Sequence, residues 1–468
     1  MLLDAYSIKE EKVKEYDIVL IGTGQATGTL IPELLEMGMS VAVVEGDRVG
    51  GSCVNWGCTP TKTLVASARA AHMARRGPDF GVDIPSHSVS FSRVKERVDG
   101  MRYPGSDGMR RWLEEVTDFY PGWAEFEDEH TIKVGEERLR GERIVIHTGA
   151  RARTPTLEGI DTVPWLDNKG ILALETLPKH LLILGGSYIG MEFAQAFRRL
   201  GSRVSVFEHN DRIVTREDPD ISEVARQVMS DEGIEIHFKS EALRLAPEEE
   251  GVRLDYQQNG TEHAISGSHI LIAVGRVPNT DWLNLPAAGV ESNNRGFIQV
   301  DEVGRTSVPH IYALGDVNGR GAFTHTSVHD GQVFVDHLRG GGRKIGDRQP
   351  IHAMYIDPPL ARVGMSVEEA RRSGRRALVG SMPMSKVSRA NEKDETYGII
   401  KVVVDADTER ILGGTVFGVG GDEIIGMLAL AMQAGLSYRR LQETVIPHPT
   451  VAELVPFVFD NLRPVEAD

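Results

Sequence analysis

The apolar positions of this chain gather into short runs that are hydrophobic throughout, each passing through a glycine-rich turn into a stretch with helical period. Tyr16-Asp17-Ile18-Val19-Leu20-Ile21 is the first such run and predicts a strand buried on both faces. It enters Gly22-Thr23-Gly24-Gln25-Ala26-Thr27-Gly28, after which the pattern predicts a helix to Met37 with Gly38 as its C-cap. A second strand follows at Val41-Ala42-Val43-Val44 and stops at Glu45. The whole succession then returns. Leu181-Leu182-Ile183-Leu184 leads into Gly185-Gly186-Ser187-Tyr188-Ile189-Gly190, a helix to Leu200 capped by Gly201, and a strand from Arg203 to Phe207 that ends at Glu208. The acid follows the first glycine at the same distance in both copies, position 45 after 22 and position 208 after 185.

Strand, glycine turn, helix, strand and acid in this order describe a fold that binds a dinucleotide. The first glycine permits the tight turn, the next lets a pyrophosphate approach the backbone, and the helix start offers bare N–H groups and a positive dipole to it. The acid accepts from a ribose hydroxyl. Three departures bear on packing and grip. Thr27 stands where a third small residue belongs, so the first helix is expected to pack less closely on its strand. Pro32 is expected to kink that helix by removing its bond to the Gly28 carbonyl. Ser187 replaces the middle glycine of the second copy and fits if its side chain points away from the phosphates. Glu208 predicts NADH over NADPH, because a carboxylate bonds a 2′-hydroxyl and repels a 2′-phosphate. His209, Arg212 and Arg216 nearby leave the phosphate form open.

The chain has two cysteines, Cys53 and Cys58, inside Gly50-Gly51-Ser52-Cys53-Val54-Asn55-Trp56-Gly57-Cys58-Thr59-Pro60-Thr61-Lys62. Flanking glycines let this segment fold back into a small loop that can close and reopen, which makes the pair a candidate redox couple. A structural staple would gain little by closing so short a loop. Inert buried thiols and half of a metal site are the alternatives, but zinc wants three or four ligands, and the sequence has no third cysteine and no histidine within the loop. No metal site is predicted. Thr59 as N-cap and Pro60 as first residue of a helix over Thr61 to Arg75 would put Cys58 at a helix N-terminus, where positive potential favours a thiolate. Lys62 then lies one turn beyond Cys58.

With 468 residues the chain is expected to form two to four domains. Its 52 basic and 68 acidic residues leave a formal charge of −16, which argues against nucleic acid or an anionic membrane surface as partner. No apolar stretch approaches the roughly 18 residues of a membrane span, and the charged start from Met1 to Glu15 lacks a secretory apolar core. A cytoplasmic location is expected.

Together with Thr148-Gly149, Ala273-Val274-Gly275-Arg276-Val277-Pro278-Asn279, Ala313-Leu314-Gly315-Asp316 and His448-Pro449-Thr450-Val451-Ala452-Glu453, these motifs give the chain a resemblance over nearly its whole length to the flavoprotein disulfide reductases. This is the pyridine nucleotide-disulfide oxidoreductase family of dihydrolipoamide dehydrogenase, glutathione reductase and mercuric reductase. The resemblance implies an α/β fold with two Rossmann-like domains, for FAD and NAD(P), and a C-terminal α+β dimerisation domain. Motif order gives an FAD part at 1–155, a nicotinamide nucleotide part at 156–282, a return to the FAD side at 283–348 and dimerisation from 349 to 468. The last domain reads as strands Ile399 to Val404 and Leu412 to Phe417 with a helix from Glu423 to Ala434.

By the same resemblance Cys58 faces the flavin and Cys53 is the exposed interchange thiol. Lys62 pairs with Glu192 near the flavin ring, and Tyr188 is an aromatic lid where the nicotinamide enters. His448 is the acid–base group, oriented by Glu453, with Ala452 where a serine is usual. It reaches the active site from the second subunit of a homodimer. Glu45 is implied on the adenosine ribose and Asp316 on the ribitol chain. Cofactor contacts are further implied for Gly22, Gly24, Thr27, Gly28, Gly51, Ser52, Lys62, Ala124, Thr148, Gly149, Arg276, Gly315 and Thr324, and for Gly185, Ser187, Tyr188, Ile189, Gly190, Glu208 and Gly275. The implied reaction carries hydride from NADH, with NADPH open, through FAD to the thiol pair and on to a disulfide or related small oxidant.

Cys58-Thr59-Pro60-Thr61-Lys62-Thr63-Leu64-Val65-Ala66-Ser67-Ala68 and Phe323-Thr324-His325-Thr326-Ser327 are similar to mercuric-reductase-like proteins. Mercury reduction calls for a further thiol pair near the C-terminus, which Asn461 to Asp468 does not carry. Trp56 and the Thr324-His325-Thr326-Ser327 stretch depart from dihydrolipoamide dehydrogenase. A lipoamide dehydrogenase, a metal-ion reductase of mercuric or copper type, and a redox sensor that binds FAD and NADH without turnover stand as alternatives.

Overall fold

A computed structural model describes residues 13–466; most of the charged start and the last two residues lie outside that range. The chain divides into two compact units, one within Met1–Pro60, Asp99–Arg153 and Gly275–Arg348, the other within Thr61–Val98, Thr154–Val274 and Gln349–Asp468. Strand β1 (Val13–Ile21), helix α1 (Thr27–Glu36) and strand β2 (Val41–Glu45) frame the first glycine turn. Helices α2 (Gly51–Trp56) and α3 (Cys58–Arg76) carry the cysteines. The second turn joins β3 (His180–Leu184) to α4 (Tyr188–Leu200), followed by β4 (Arg203–Phe207) and α5 (Pro219–Asp231). Helix α6 (Thr324–Leu338) and strand β5 (Ile351–Met354) carry further site residues.

In the first unit a seven-stranded sheet runs in the order Asp118–Pro121, β2, β1, Glu137–Ile146, Thr131–Val134, Ala124–Phe126, with Ile311–Ala313 also paired to Glu137–Ile146. The ends of its central strands nearest the glycine turn, Ile18 to Ile21, Val41 to Val44 and Ile144 to Ile146, are apolar at every position because both faces are covered there. Val19, Ile21, Val44 and Ile146 enter one core, and Ile18, Leu20, Val43 and Val145 enter another. Parallel register sets Ile21 beside Val44 and Ile146, so Gly22, Glu45 and His147 emerge together at the strand ends. The second unit repeats this with a four-stranded parallel sheet. There Leu184 lies beside Phe207 and Ile272, and Gly185, Glu208 and Ala273 emerge together. Ligands of such sheets bind at these carboxyl ends.

A six-stranded antiparallel sheet fills the C-terminal part, running from β5 through Leu360–Gly364, Ile411–Phe417, Ile399–Asp405 and Ala377–Pro383 to Arg463–Pro464. The helix Gly421–Gln433 supplies Ile425, Leu428 and Ala431 to its core. The α/β class with a C-terminal α+β domain follows as the resemblance implies. Among the described residues no helix is long and apolar enough to cross a membrane.

Several local expectations need correction. The cysteine segment is helical instead of a loop. Asn55, buried, donates from Nδ2 to the carbonyls of Val49 (2.9 Å) and Gly51 (3.1 Å), which closes α2 on itself. Gly57, at φ −137° and ψ −111°, separates α2 from α3. Helix α3 therefore begins at Cys58, with Thr59 and Pro60 inside its first turn, where a missing N–H costs nothing. Met37 caps α1, and Gly38 follows it in the left-handed region at φ 74°. Pro32 lies inside α1 without ending it. The C-terminal strands and helix shift by one or two residues at their ends.

Candidate active site

Cys58 heads the 19-residue helix α3, and Cys53 lies in α2. Both sulfurs are thiols, Cys58 exposed and Cys53 partly buried. Cys53 lies inside a short helix backed by buried Asn55, and Cys58 stands at the start of the next helix. The hydrogen bond with Cys58, reinforced by burial, pushes the Cys53 thiol well above its ordinary range. Thr324, the first residue of α6, lies with its hydroxyl 3.3 Å from Cys58 Sγ and also hydrogen-bonds Cys53. Behind α2, fully buried Arg102 donates to the Asn55 carbonyl (3.2 Å) and to Asp99 (2.8 Å).

The first glycine turn is gripped by its own acid. Thr23 donates from N–H (3.0 Å) and from its hydroxyl (2.5 Å) to Glu45 Oε2, and Asp47 N–H donates to Oε1 (2.8 Å). Gly22 has φ 97°, and a Cβ on it would stand 2.4 Å from the His147 carbonyl oxygen. A Cβ on Gly24 would strike the His147 ring at 2.8 Å, so a protein side chain as well as a ligand keeps that position bare. His147 is fully buried; its Nε2 lies 2.8 Å from Ser327 Oγ, its Nδ1 has no partner, and burial lowers its pKa to about 4. Gly51 meets Gly24 so closely that a Cβ would stand 3.0 Å from Gly24 Cα. Ser52 is exposed, and Gly28 lies in the first turn of α1.

Thr148 and Asn279 exchange two hydrogen bonds, Oγ1 to the Asn279 carbonyl (2.7 Å) and Nδ2 to the Thr148 carbonyl (2.8 Å), beside Gly149. Gly315 N–H donates to Asp330 (2.9 Å), and burial raises the Asp316 carboxyl although Arg276 Nε lies 3.9 Å away. Arg276 donates to the Ala150 carbonyl, beside Gly275. Ala124 packs its methyl in the sheet core. A side-chain-free cradle at a helix start, an acid at the strand end, and two buried atoms lacking partners, Thr27 Oγ1 and Arg276 Nε, fit a dinucleotide.

The second turn follows the same plan. Gly186 N–H donates to Glu208 Oε2 (2.7 Å), and Asn210 donates to Oε1 from N–H (2.9 Å) and Nδ2 (2.6 Å). Gly185, at φ 107°, abuts the Ala273 carbonyl, which a Cβ would approach to 2.5 Å. Ser187 is exposed with extended backbone (φ −94°, ψ −174°), a conformation any residue adopts, so the missing glycine costs no strain. Ile189 is exposed, and Gly190 packs against the Gly185 carbonyl. The Tyr188 hydroxyl donates to Glu217. Burial and the Glu217 charge push that phenol far above its ordinary range.

Lys62, one turn beyond Cys58 on α3, donates to Glu192 Oε2 at 2.7 Å and lies over the Tyr355 ring at 4.6 Å. Tyr355 N–H donates to the other oxygen of Glu192 (2.8 Å). His448 donates from Nδ1 to Glu453 (3.0 Å) and keeps its side chain 74% exposed. Thr450 Oγ1 accepts the Glu453 N–H (3.2 Å), which holds the acid in place. Sequence reasoning missed His147, Arg102, Glu217, His352 and Arg362. A histidine next to Thr148-Gly149 was visible, but its ring contacts come from segments distant in sequence, and nothing local marks the others.

Two family descriptions match the chain: pyridine nucleotide-disulphide oxidoreductase over residues 16–331, and the dimerisation domain of that family over residues 351–457. The chain is similar to the probable pyridine nucleotide-disulfide oxidoreductase RclA of Escherichia coli, at 36% identity over 96% of this chain and 100% of RclA. It is also similar to a mercuric reductase of Lysinibacillus sphaericus, at 32% identity over 95% of this chain and 83% of that protein. A solved structure, the HOCl-induced flavoprotein disulfide reductase RclA from Escherichia coli, superposes with a TM-score of 0.86 at 34% identity, covering 95% of this chain and 99% of that one.

Proposed function

The chain belongs to the pyridine nucleotide-disulphide oxidoreductase family, FAD-dependent oxidoreductases that take electrons from NAD(P)H, and from that premise we propose that it reduces a small disulfide through Cys53 and Cys58. The observation that carries this reading is the thiol pair at the head of α3, with one hydroxyl, Thr324, touching both sulfurs. Its hydrogen bond to Cys58 and burial disfavour ionisation of Cys53, and the helix N-terminus favours a thiolate at Cys58, so in this reading Cys53 is the thiol that carries the proton. His448, oriented by Glu453, takes the Cys53 proton as that sulfur attacks the substrate disulfide, and returns it to the leaving thiol. Cys58 then attacks the Cys53 sulfur, releasing the second product as a thiolate that takes a proton from solvent, and leaving a Cys53–Cys58 disulfide. The electron pair that reopens it would come from FAD held at this site and reduced by the nicotinamide nucleotide.

In this reading the first glycine turn with Glu45, Thr148, Arg276 and Asp316 holds FAD, and the second turn with Tyr188 and Glu208 holds the nicotinamide nucleotide. Glu208 favours NADH, and Tyr188 is the lid. Domain limits of 1–155, 156–282, 283–348 and 349–468 belong to the same reading. So does a homodimer whose His448 serves the partner's thiols, supported by the match to a dimerisation domain and by the exposure of that histidine. Scarce cysteine supports a reducing, cytoplasmic location.

Anaerobic titration with NADH tests this. The wild type should develop a long-wavelength thiolate absorbance that Cys58→Ser loses and Cys53→Ser keeps, and either variant should lose turnover on the order of a thousandfold or more. A substrate panel of lipoamide, glutathione and coenzyme A disulfides, quinones, and mercuric and cupric ions separates the disulfide reading from metal-ion reduction. If no disulfide turns over while NADH still reduces the protein, the disulfide reading is dropped. No spectral change with either nucleotide would leave a binding module.

A further inference from the structure

The Glu217 carboxylate is wholly buried; it has two hydrogen-bond partners and an ion-pair contact with a guanidinium. His352 Nε2 lies 3.0 Å from Oε1, Arg362 Nε lies 3.0 Å from Oε2, and the Tyr188 hydroxyl donates to Oε1. His352 and Arg362 are directly opposite each other in the antiparallel pairing of β5 with Leu360–Gly364, so one strand pair clamps the carboxylate. Arg362 is further tied to Glu369 (2.7 Å) and the Gly364 carbonyl (3.2 Å), which leaves it little room to follow a moving partner. The Tyr188 ring packs near His352, with centroids 5.6 Å apart. Just beyond β5, Tyr355 N–H holds Glu192, the acid of the Lys62 pair. Of the groups on Glu217, only the tyrosine sits on a glycine turn; the other two are fixed by the sheet.

We propose that Glu217 is a positioning residue for Tyr188, a latch whose fixed carboxylate holds the phenol at rest and sets how readily the ring gives way to the nicotinamide. The inference rests on the reading of Tyr188 as the lid. A carboxylate held by an imidazole at Oε1 and by a guanidinium at Oε2 cannot swing with the ring, so displacement of the ring breaks one charge-assisted hydrogen bond. The latch therefore opposes nucleotide entry by that bond and closes the site again when the nucleotide leaves.

Rapid anaerobic mixing of the holoenzyme with NADH gives the test. Tyr188→Phe keeps the ring and removes the hydroxyl, and Glu217→Gln removes the charge. Each should lower the half-saturating NADH concentration by about tenfold, and the double variant should match either single one. Tyr188→Phe carries the test alone if Glu217→Gln, which strands Arg362, fails to fold. A readout apart from turnover is the ultraviolet titration of tyrosinate. In Glu217→Gln one tyrosine should titrate at lower pH, and that step should vanish in the double variant. If Tyr188→Phe leaves the NADH dependence unchanged while Tyr188→Ala alters it, the lid stands and the latch is overturned. If Tyr188→Ala also changes nothing, the reading of the lid fails, and the latch with it. Effects of the two single variants that add, or a tyrosinate titration identical to wild type, would likewise overturn the latch.

Discussion

The two glycine turns share a backbone plan and differ in what lies beneath it. In each, the carbonyl of the residue after a strand paired in parallel with the one that enters the turn, His147 or Ala273, abuts the first glycine, and an acid accepts the N–H of the next residue. The side chains then diverge. Under the first turn stands a buried imidazole in contact range of Gly24, while the second has a methyl group at the same place. At the helix start the relation inverts: the first copy accommodates Thr27, fully buried, whereas the second draws Gly190 against the Gly185 carbonyl. A shared motif therefore reports shared main-chain geometry. Which ligand each copy grips, and how firmly its helix is set, comes from side chains outside the motif.

The largest effect expected from this contrast is at the helix start. An alanine methyl on Gly190 would stand 2.1 Å from the Gly185 carbonyl oxygen, which is backbone and cannot turn aside. Gly190→Ala should cost about 3 kcal/mol, as a forced shift of a packed helix. Calorimetric unfolding would register this as an earlier transition. A Gly190→Ala protein with wild-type stability would mean that the two helices are set equally loosely and that the contrast is false.

The second expected effect concerns the imidazole. His147 is buried neutral with a pKa of about 4, against about 6.5 for an exposed histidine. Above the unfolded value both states are neutral and the stability is complete. As pH falls from 6.5 towards 4 the unfolded chain takes up a proton that the folded chain refuses, so stability declines by up to about 3 kcal/mol. Below both values no further loss follows from this group. His147→Ala converts the first turn to the chemistry of the second, and its stability should lack this acid-dependent component. Paired denaturant titrations of the two proteins at neutral and at mildly acid pH would check it; parallel curves would rule out His147 as the source.

Much of this was legible from residue pattern, because strand segments covered on both faces are runs of apolar residues, and Ile18 to Ile21, Val41 to Val44 and Leu181 to Leu184 carry that signature. The motif positions found their strands and turns for the same reason. What escaped depended on contacts between distant segments. Gly50, Gly51 and Gly57 read as loop formers, yet the Asn55 side chain bonds two nearby carbonyls and Arg102 supports the Asn55 carbonyl from another helix, so the segment winds up as α2. That helix also partly buries Cys53. Glu217 carries no local mark at all: its partners come from the second glycine turn and from two paired strands far along the chain.

The smallest effect sharpens the contrast most. Thr27 occupies the place of Gly190, and its hydroxyl is buried with no hydrogen-bond partner in the protein. If that hydroxyl served folding, Thr27→Ala would destabilise the chain. An unmatched buried hydroxyl instead costs about 1 kcal/mol or more, so in protein stripped of cofactor Thr27→Ala should be neutral or slightly stabilising. In the presence of FAD the sign should turn, because the hydroxyl stands at a helix start where a pyrophosphate oxygen would take it as donor. The cofactor should then bind the variant more weakly, by severalfold. Denaturation of the stripped protein and titration with FAD read the two halves separately. A loss of stability without cofactor, or equal FAD affinity in both proteins, would show that Thr27 is packing alone and that the first turn owes its ligand to other groups.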